Sequence, residues 1–423
     1  MTLAPSETRK LGPDGPIRLL QGLSAGGPTP LESHLRRHGP PPARDDLVDV
    51  LARAGLRGRG GAAFPTARKL AAVREARGRP VVVANGVEGE PVSGKDAVLL
   101  AYAPHLVLDG AVAAAHAVGA RQVIVAAGRA ALPHVRHAIA ERTATRLDRH
   151  VSLRAVAAPD DFVAGQETAL VQFLDGGPAL PTFTPPRPFE RGVGGAPTLV
   201  QNVETLAQLG LVARFGDDWF RSVGTRDEPG TALVTLSGAV RRPGVYEIAL
   251  GSPLHELVAG AGGLTCDVQA FLVGGFFGTW IAAAAAQTVS LSNAELGRHG
   301  ASLGAGAIVA LPASACGLVE TGRVARYLAH ESAGQCGPCV HGLASVADSL
   351  DELARRQRHV DRGVLRRRLR AIAGRGACSH PDGAVRLVAS ALAVFAAEFE
   401  RHGRGKRCSG RGGAVLPVPR SAA

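Results

Sequence analysis

The chain has 423 residues, 46% apolar and 20% charged, which excludes a disordered protein and leaves room for several packed domains. No apolar run reaches a membrane span, because Leu106–Ala127 is interrupted by Asp109, His116, Arg121 and Gln122. The net charge of +12 invites a nucleic-acid reading, but aromatics are only 4% and no basic–aromatic interleaving occurs, so no nucleic-acid partner is expected.

Residues 1–44 are rich in Pro, Gly and Arg and are expected to be irregular, with no apolar signal segment, which makes a cytoplasmic location the default. Residues 45–225 alternate helices and strands. The helix near Pro104–Val118 begins on a proline and ends at Gly119, and strands are expected at Val81–Ala84, Gln122–Ala126 and Val151–Ala157. Alternation of this kind predicts an α/β domain with a parallel sheet. Residues 230–300 read as short strands and turns, with Cys266 expected to be plainly buried. Residues 305–400 read as a small helical bundle, with Leu350–Arg370 amphipathic and Ala384–Phe399 apolar on most sides. Residues 401–423 read as a basic tail.

Two stretches of the first domain carry chemistry. GLRGRGGAAFPTARK (Gly55 to Lys69) is a glycine-rich loop running into a helix. Its glycines allow close backbone approach to a ligand, and the helix start offers free N–H groups to a phosphate. Lys69 adds a point charge. VVVANGVEGEPVSGKD (Val81 to Asp96) is a buried strand opening into an acidic loop. There Asn85, Glu88 and Glu90 sit just beyond the strand end, where open α/β sheets bind ligands. Lysine is rare in this chain (Lys10, Lys69, Lys95 and Lys406), and two of the four fall in these stretches. One loop for phosphate and one polar loop for a ring or ribose is what a nucleotide-type cofactor needs.

These stretches resemble the FMN- and NADH-binding component (the F subunit) of respiratory complex I and its relatives in soluble NAD-reducing hydrogenases and formate dehydrogenases. The resemblance continues through FVAGQETALVQFLDG (Phe162 to Gly176), GAPTLVQNVETLAQL (Gly195 to Leu209) and HESAGQCGPCVHG (His330 to Gly342). It is imperfect. Ala63, Ala67 and Val92 stand where the family has glycine, Val87 where it has aspartate, Gly94 where it has an aromatic, and Ala97 where it has arginine. Gln166 replaces a glutamate and Gln201 an asparagine. The family fold implies a Rossmann-like FMN-binding α/β domain, a small ubiquitin-like β-grasp domain of the soluble-ligand-binding type, and a C-terminal helical domain for iron–sulfur.

By this resemblance Gly58, Arg59, Gly60, Gly61 and Lys69 hold the FMN phosphate and ribityl chain. Asn85, Glu88, Gly165, Gln166, Gln201, Asn202 and Thr205 line the flavin. Phe64, Glu90 and Glu167 serve NADH. The departures gather on the NADH side, where Gly94, Thr184 and Arg187 replace family residues, so FMN binding is expected to be firmer than NADH binding.

The family holds a [4Fe–4S] cluster on four cysteines. Cys336, Cys339 and Cys378 occupy three of those positions, and the fourth is Ala333. Several readings stay open. A [4Fe–4S] cluster could take its fourth ligand from His341, His380, Glu331, water or a partner. A cuboidal cluster could lack that iron. Zinc could take a Cys3His set with His341 or His380, or the site could be empty. Cys316 and Cys408 match no ligand position, and Cys408 is expected to be free. The implied activity is oxidation of NADH or NADPH through FMN to an iron–sulfur cluster. From there electrons pass to a thioredoxin-like iron–sulfur subunit, a ferredoxin or a membrane reductase, with attachment at the inner face of the membrane only through such partners. The alternative is a non-catalytic scaffold or regulatory subunit that keeps the fold and has lost the cluster.

Overall fold

The computed structural model describes residues 17–23, 27–41, 43–355, 362–406, 408, 410 and 413–419. Lys10, Arg411 and residues 356–361 lie outside them. The first domain runs α1 (Leu31–His38), α2 (Leu47–Ala54), α3 (Thr66–Glu75), β1 (Val81–Gly86), α4 (Lys95–Tyr102), α5 (Pro104–Val118), β2 (Gln122–Ala127), α6 (Leu132–Ala144), β3 (Ser152–Ala157), α7 (Glu167–Leu174), β4 (Thr198–Asn202) and α8 (Val203–Arg221). Its strands form a parallel sheet in the order β3-β2-β1-β4. The apolar run of β1 follows from this, since Val82 and Ala84 enter one core while Val81 and Val83 enter another on the opposite face.

The chain moves outward from β1 through β2 to β3, then returns to place β4 on the other side of β1. A crevice opens beyond the strand ends at such a reversal. Register sets Ala84 beside Gln201 and Asn85 beside Asn202 at its rim. Behind it, α5 and α8 cross in backbone contact: a Cβ on Gly110 would lie 1.7 Å from the Leu206 carbonyl oxygen. α4 and α5 together have the length and composition of a membrane span, but they bend by 96°, and no single helix among the described residues is long and apolar enough to cross one.

The second unit comprises β5 (Thr231–Gly238), β6 (Gly244–Ala249), α9 (Leu254–Gly260), β7 (Val268–Val273), β8 (Thr279–Ala282), α10 (Ala283–Ala286), α11 (Asn293–Arg298) and β9 (Ala307–Pro312). Its mixed sheet has the order β6-β5-β9-β7-β8, with β9 parallel to β5 and antiparallel to β7. The third comprises α12 (Gly317–His330), a π-helical turn at Pro338–Leu343, α13 (Ala344–Arg355), α14 (Arg362–Ile372), α15 (His380–Val394) and α16 (Ala396–Gly403). These helices share one core with the face of the second sheet that carries Ala270, Leu272 and Val309.

Four expectations change. The N-terminal segment is not wholly irregular: it carries α1, pinned by His34 Nε2 to buried Asp109 at 2.8 Å, and the N–H groups of Arg18, Leu19 and Leu20 all converge on Glu247 Oε2. The boundary at residue 305 cuts off β9, which is the central strand of the second sheet; a strand that pairs non-locally gives no local signal of its sheet. Cys266 is exposed. The described part of the basic tail is largely exposed but anchored, with Leu416 buried and its N–H bonded to Glu320 Oε2 at 2.8 Å.

Candidate functional site

Four helices, α3, α4, α7 and α8, begin at the crevice. Three of them have their first N–H groups satisfied by side chains that the sequence assigned to the flavin. Glu88 accepts from the Asp96 and Ala97 N–H groups at the start of α4. Gln166 Oε1 caps α7 through Thr168 and Ala169, at 2.7 and 2.9 Å. Asn202 Oδ1 caps α8 through the Glu204 N–H at 3.0 Å. Among the described residues, α3 takes no side-chain cap, and it is the helix that follows the glycine-rich loop. The Thr66 N–H is taken by the Leu56 carbonyl at 2.9 Å, so what α3 offers an anion is the N–H groups of Ala67 and Arg68 and the positive dipole end.

The loop is held open in a specific shape. Gly58 N–H donates to the Phe64 carbonyl, and Arg57 bridges to Pro65. Gly61 lies at φ +105°, a region that glycine favours. Ala63 lies at φ +48°, where the family has glycine. A Cβ on Gly60 would stand 3.2 Å from the Asn202 Cβ, so the loop is pressed against the end of β4. A cleft bounded by Gly58, Gly61, Ala63, Lys95 and Gly304 lies between this loop and the second unit.

The remaining predicted residues mostly build the rim. Thr205 Oγ1 accepts from the Arg59 N–H at 2.8 Å, and Gln201 Nε2 donates to Thr66 Oγ1 at 3.3 Å. Asn85 Nδ2 donates to the Gly165 carbonyl at 2.8 Å, and its Oδ1 accepts from Val87. Gly165 is needed for close approach, since its Cβ would fall 2.8 Å from the Val87 carbonyl oxygen. Glu90 Oε2 accepts from the Phe276 N–H at 2.8 Å, and burial raises its pKa to about 8. Lys69 Nζ pairs with Glu167 Oε2 at 2.8 Å across the crevice. Phe64 is half-exposed, free to stack on a planar ligand. The Arg59 guanidinium turns inward, donating to the Thr231 carbonyl, while its buried Nε lies 3.9 Å from Glu204 Oε1, an ion pair without a hydrogen bond.

The sequence reading missed a buried charge network beneath the loop. Lys95 Nζ lies 2.8 Å from Asp96 Oδ1 and 2.9 Å from Glu204 Oε2, all three buried. Asn202 Nδ2 reaches Asp96 Oδ2 at 2.6 Å, and Glu204 Oε1 accepts from the Leu233 N–H. Both carboxylates hold Lys95 charged against its desolvation. The signal was present in the rarity of lysine.

The cysteines gather at the far end of α12. Burial opposes ionisation of Cys336, but the Ala377 and Cys339 N–H groups at its sulfur bring its pKa below the ordinary value. Burial, then Cys336, pushes Cys339 up to about 12, and burial raises Cys378. The three sulfurs face one another, but they do not all lie within 4.8 Å of one another. A multi-iron cluster spans more. The fourth-ligand candidates diverge. His341 is exposed, and Glu331 accepts from the Phe162 N–H at 2.9 Å. His380 bonds through Nε2 to the Leu328 carbonyl at 2.7 Å, leaving its buried Nδ1 without a partner.

The two regions adjoin. Phe162 packs edge-on against Phe277, Tyr327 and His380, and a Cβ on Gly89 would meet the Phe162 carbonyl at 2.7 Å. One residue thus touches both the loop beyond β1 and the cysteine-bearing unit.

Comparison with protein families matches residues 51–210 to the Nuo51 FMN-binding domain, residues 233–275 to the SLBB domain and residues 320–402 to the NADH-ubiquinone oxidoreductase-F iron-sulfur binding region. Similar proteins include the second of two NADH-quinone oxidoreductase F subunits of Rhizobium meliloti (strain 1021), 33% identical over 94% of this chain and 96% of that one. The NADH-quinone oxidoreductase F subunit of Mycobacterium tuberculosis (strain ATCC 25618 / H37Rv) is 33% identical over 86% of each chain. Among solved structures, an NAD+-reducing [NiFe]-hydrogenase in the air-oxidized state superposes with a TM-score of 0.80 at 31% identity. The match covers 88% of this chain and 65% of the hydrogenase chain. On these matches, over the same residues that build the crevice and the cysteine site, the chain belongs to the family of NADH-quinone oxidoreductase F subunits.

Proposed function

We infer that this chain oxidises NADH at FMN and passes the electrons to an iron–sulfur cluster. The observation that carries the reading is the start of α3, free of a side-chain cap behind the glycine-rich loop, in a domain whose acidic loop meets the cysteine-bearing unit at Phe162. The residues fit the phosphate end of a flavin mononucleotide: a helix start without a side-chain cap, preceded by glycine backbone. Bound FMN supplies two-electron acceptance from the nicotinamide and one-electron donation onward.

The chain's own residues supply position and field. Gly58, Gly60 and Gly61 bring backbone close to the phosphate, and the Arg59 N–H is held by Thr205. Lys69 offers an ammonium that its pairing with Glu167 keeps aimed across the crevice. Lys95, with Asp96 and Glu204, braces the loop from beneath. Phe64 stacks on the nicotinamide nucleotide, and Glu90 and Glu167 accept from its hydroxyls or carboxamide. The missing aromatic at Gly94 weakens that hold, so NADH binds less firmly than FMN. No side-chain acid or base is required.

The second unit's strand order supports a ubiquitin-like β-grasp, and the helices after β9 a bundle that holds the cluster. The electron acceptor is a protein: an iron–sulfur subunit of thioredoxin type, a ferredoxin or a membrane reductase. The test is an ultraviolet–visible spectrum of anaerobically purified protein with iron analysis on the same sample. Flavin absorption with an iron–sulfur shoulder, bleached by NADH, is the expected result. A colourless protein that takes up no FMN overturns it and restores the scaffold reading.

A further inference from the structure

A second group of metal-ligand side chains lies at the opposite end of α12 from the family's cysteines, about 20 Å away for a helix of 14 residues. The ligand atoms of Cys316, His402 and Cys408 all lie within 4.8 Å of one another. Cys316 precedes α12, His402 lies on α16, and Cys408 is in the C-terminal segment, so three separate parts of the chain converge.

The distances suit a single tetrahedral ion. Zn–S and Zn–N bonds at tetrahedral angles place sulfur and nitrogen about 3.6 Å apart, and Cys316 Sγ lies 3.6 Å from His402 Nε2. The imidazole is already oriented: its Nδ1 lies 3.1 Å from the Leu353 carbonyl oxygen, which can only accept, so Nδ1 carries the ring proton and Nε2 presents its lone pair to the thiols. Metal-bound histidines are held in this way. His402 and Cys316 are buried, so the pair is shielded from water.

The C-terminal segment is seated to match. The Gly410 N–H donates to Cys408 Sγ at 3.4 Å, and a Cβ on Gly410 would stand 2.7 Å from the Cys316 nitrogen. Glu398 Oε2 accepts from the Leu318 N–H at 3.2 Å and lies 3.3 Å from Cys316 Sγ, which places a carboxylate beside the fourth position.

We propose that Cys316, His402 and Cys408 bind one zinc ion, which fastens the C-terminal segment to the helical unit independently of the iron–sulfur site. Binding displaces the two thiol protons to solvent and changes no oxidation state.

The test is zinc and iron analysis of full-length protein reconstituted with Zn2+ under anaerobic conditions, with Cys408→Ser, His402→Gln and Cys336→Ser variants alongside. About one zinc per chain is expected, lost in C408S and H402Q, with flavin and iron content unchanged in C408S. Chelation in the wild type should open the segment after Gly403 to protease. Cobalt added to zinc-free wild type should give thiolate-to-cobalt absorption, a readout that needs no variant to fold. The proposal is overturned if the wild type takes up neither metal, if zinc is lost with C336S but kept in C408S, or if the unreduced protein carries a Cys316–Cys408 disulfide.

Discussion

Ala63→Gly is the sharpest test of how the glycine-rich loop is built. Ala63 holds φ +48° in a loop whose neighbour Gly61 is also at positive φ. A side chain with a Cβ in the left-handed region costs about 1–2 kcal/mol. Glycine removes that cost but gives back about 0.4–1 kcal/mol through its freer unfolded chain. The net expectation is a stabilisation of about 0.5–1 kcal/mol. That corresponds to a rise of about 1–4 °C in the melting temperature of a domain this size. On the proposed role of this loop in holding the FMN phosphate, FMN should also bind about two- to fivefold tighter by fluorescence titration. Ala62→Gly is the control, since it lacks a positive φ and should only lose stability. If A63G melts at or below the wild type, or behaves like A62G, the loop is not strained at this residue.

The buried groups and the nucleotide face give four more tests. Lys95→Met leaves buried Asp96 and Glu204 without their cation, so a loss of about 3–5 kcal/mol should appear in the urea midpoint. Glu90 has a folded pKa near 8, above its ordinary value, so it keeps its proton where the unfolded chain has lost it. Its contribution to stability is then full at low pH and declines as pH rises through about 8, and Glu90→Gln should flatten this part of the pH profile. Phe64→Ala should raise the KM for NADH about fivefold with FMN content unchanged, because one exposed stacking ring is worth about 1 kcal/mol. Ala333→Cys should raise iron per chain and its resistance to air, since it restores the fourth thiolate; unchanged iron would place the missing ligand elsewhere.

The α/β layering was legible because its signals are local. An apolar strand covered on both faces and a helix framed by Pro104 and Gly119 declare themselves without tertiary help. Family motifs marked the glycine loop, the acidic loop and Cys336, Cys339 and Cys378. Local pattern failed for α1, whose hold comes from Asp109 about seventy residues on, and for β9, whose partners β5 and β7 lie upstream.

Chain order and residue type thus determined which stretches meet a nucleotide and which hold a cluster. They could not assign the side chains. Glu88, Gln166 and Asn202 carry the polar atoms a flavin needs, yet each caps a helix, and only the folded arrangement leaves α3 as the uncapped start. Likewise Cys316 and Cys408 stand 92 positions apart and mean nothing in sequence. The packing of α12, α16 and the C-terminal segment brings them to one point, because ligand geometry is a property of distance in space and not along the chain.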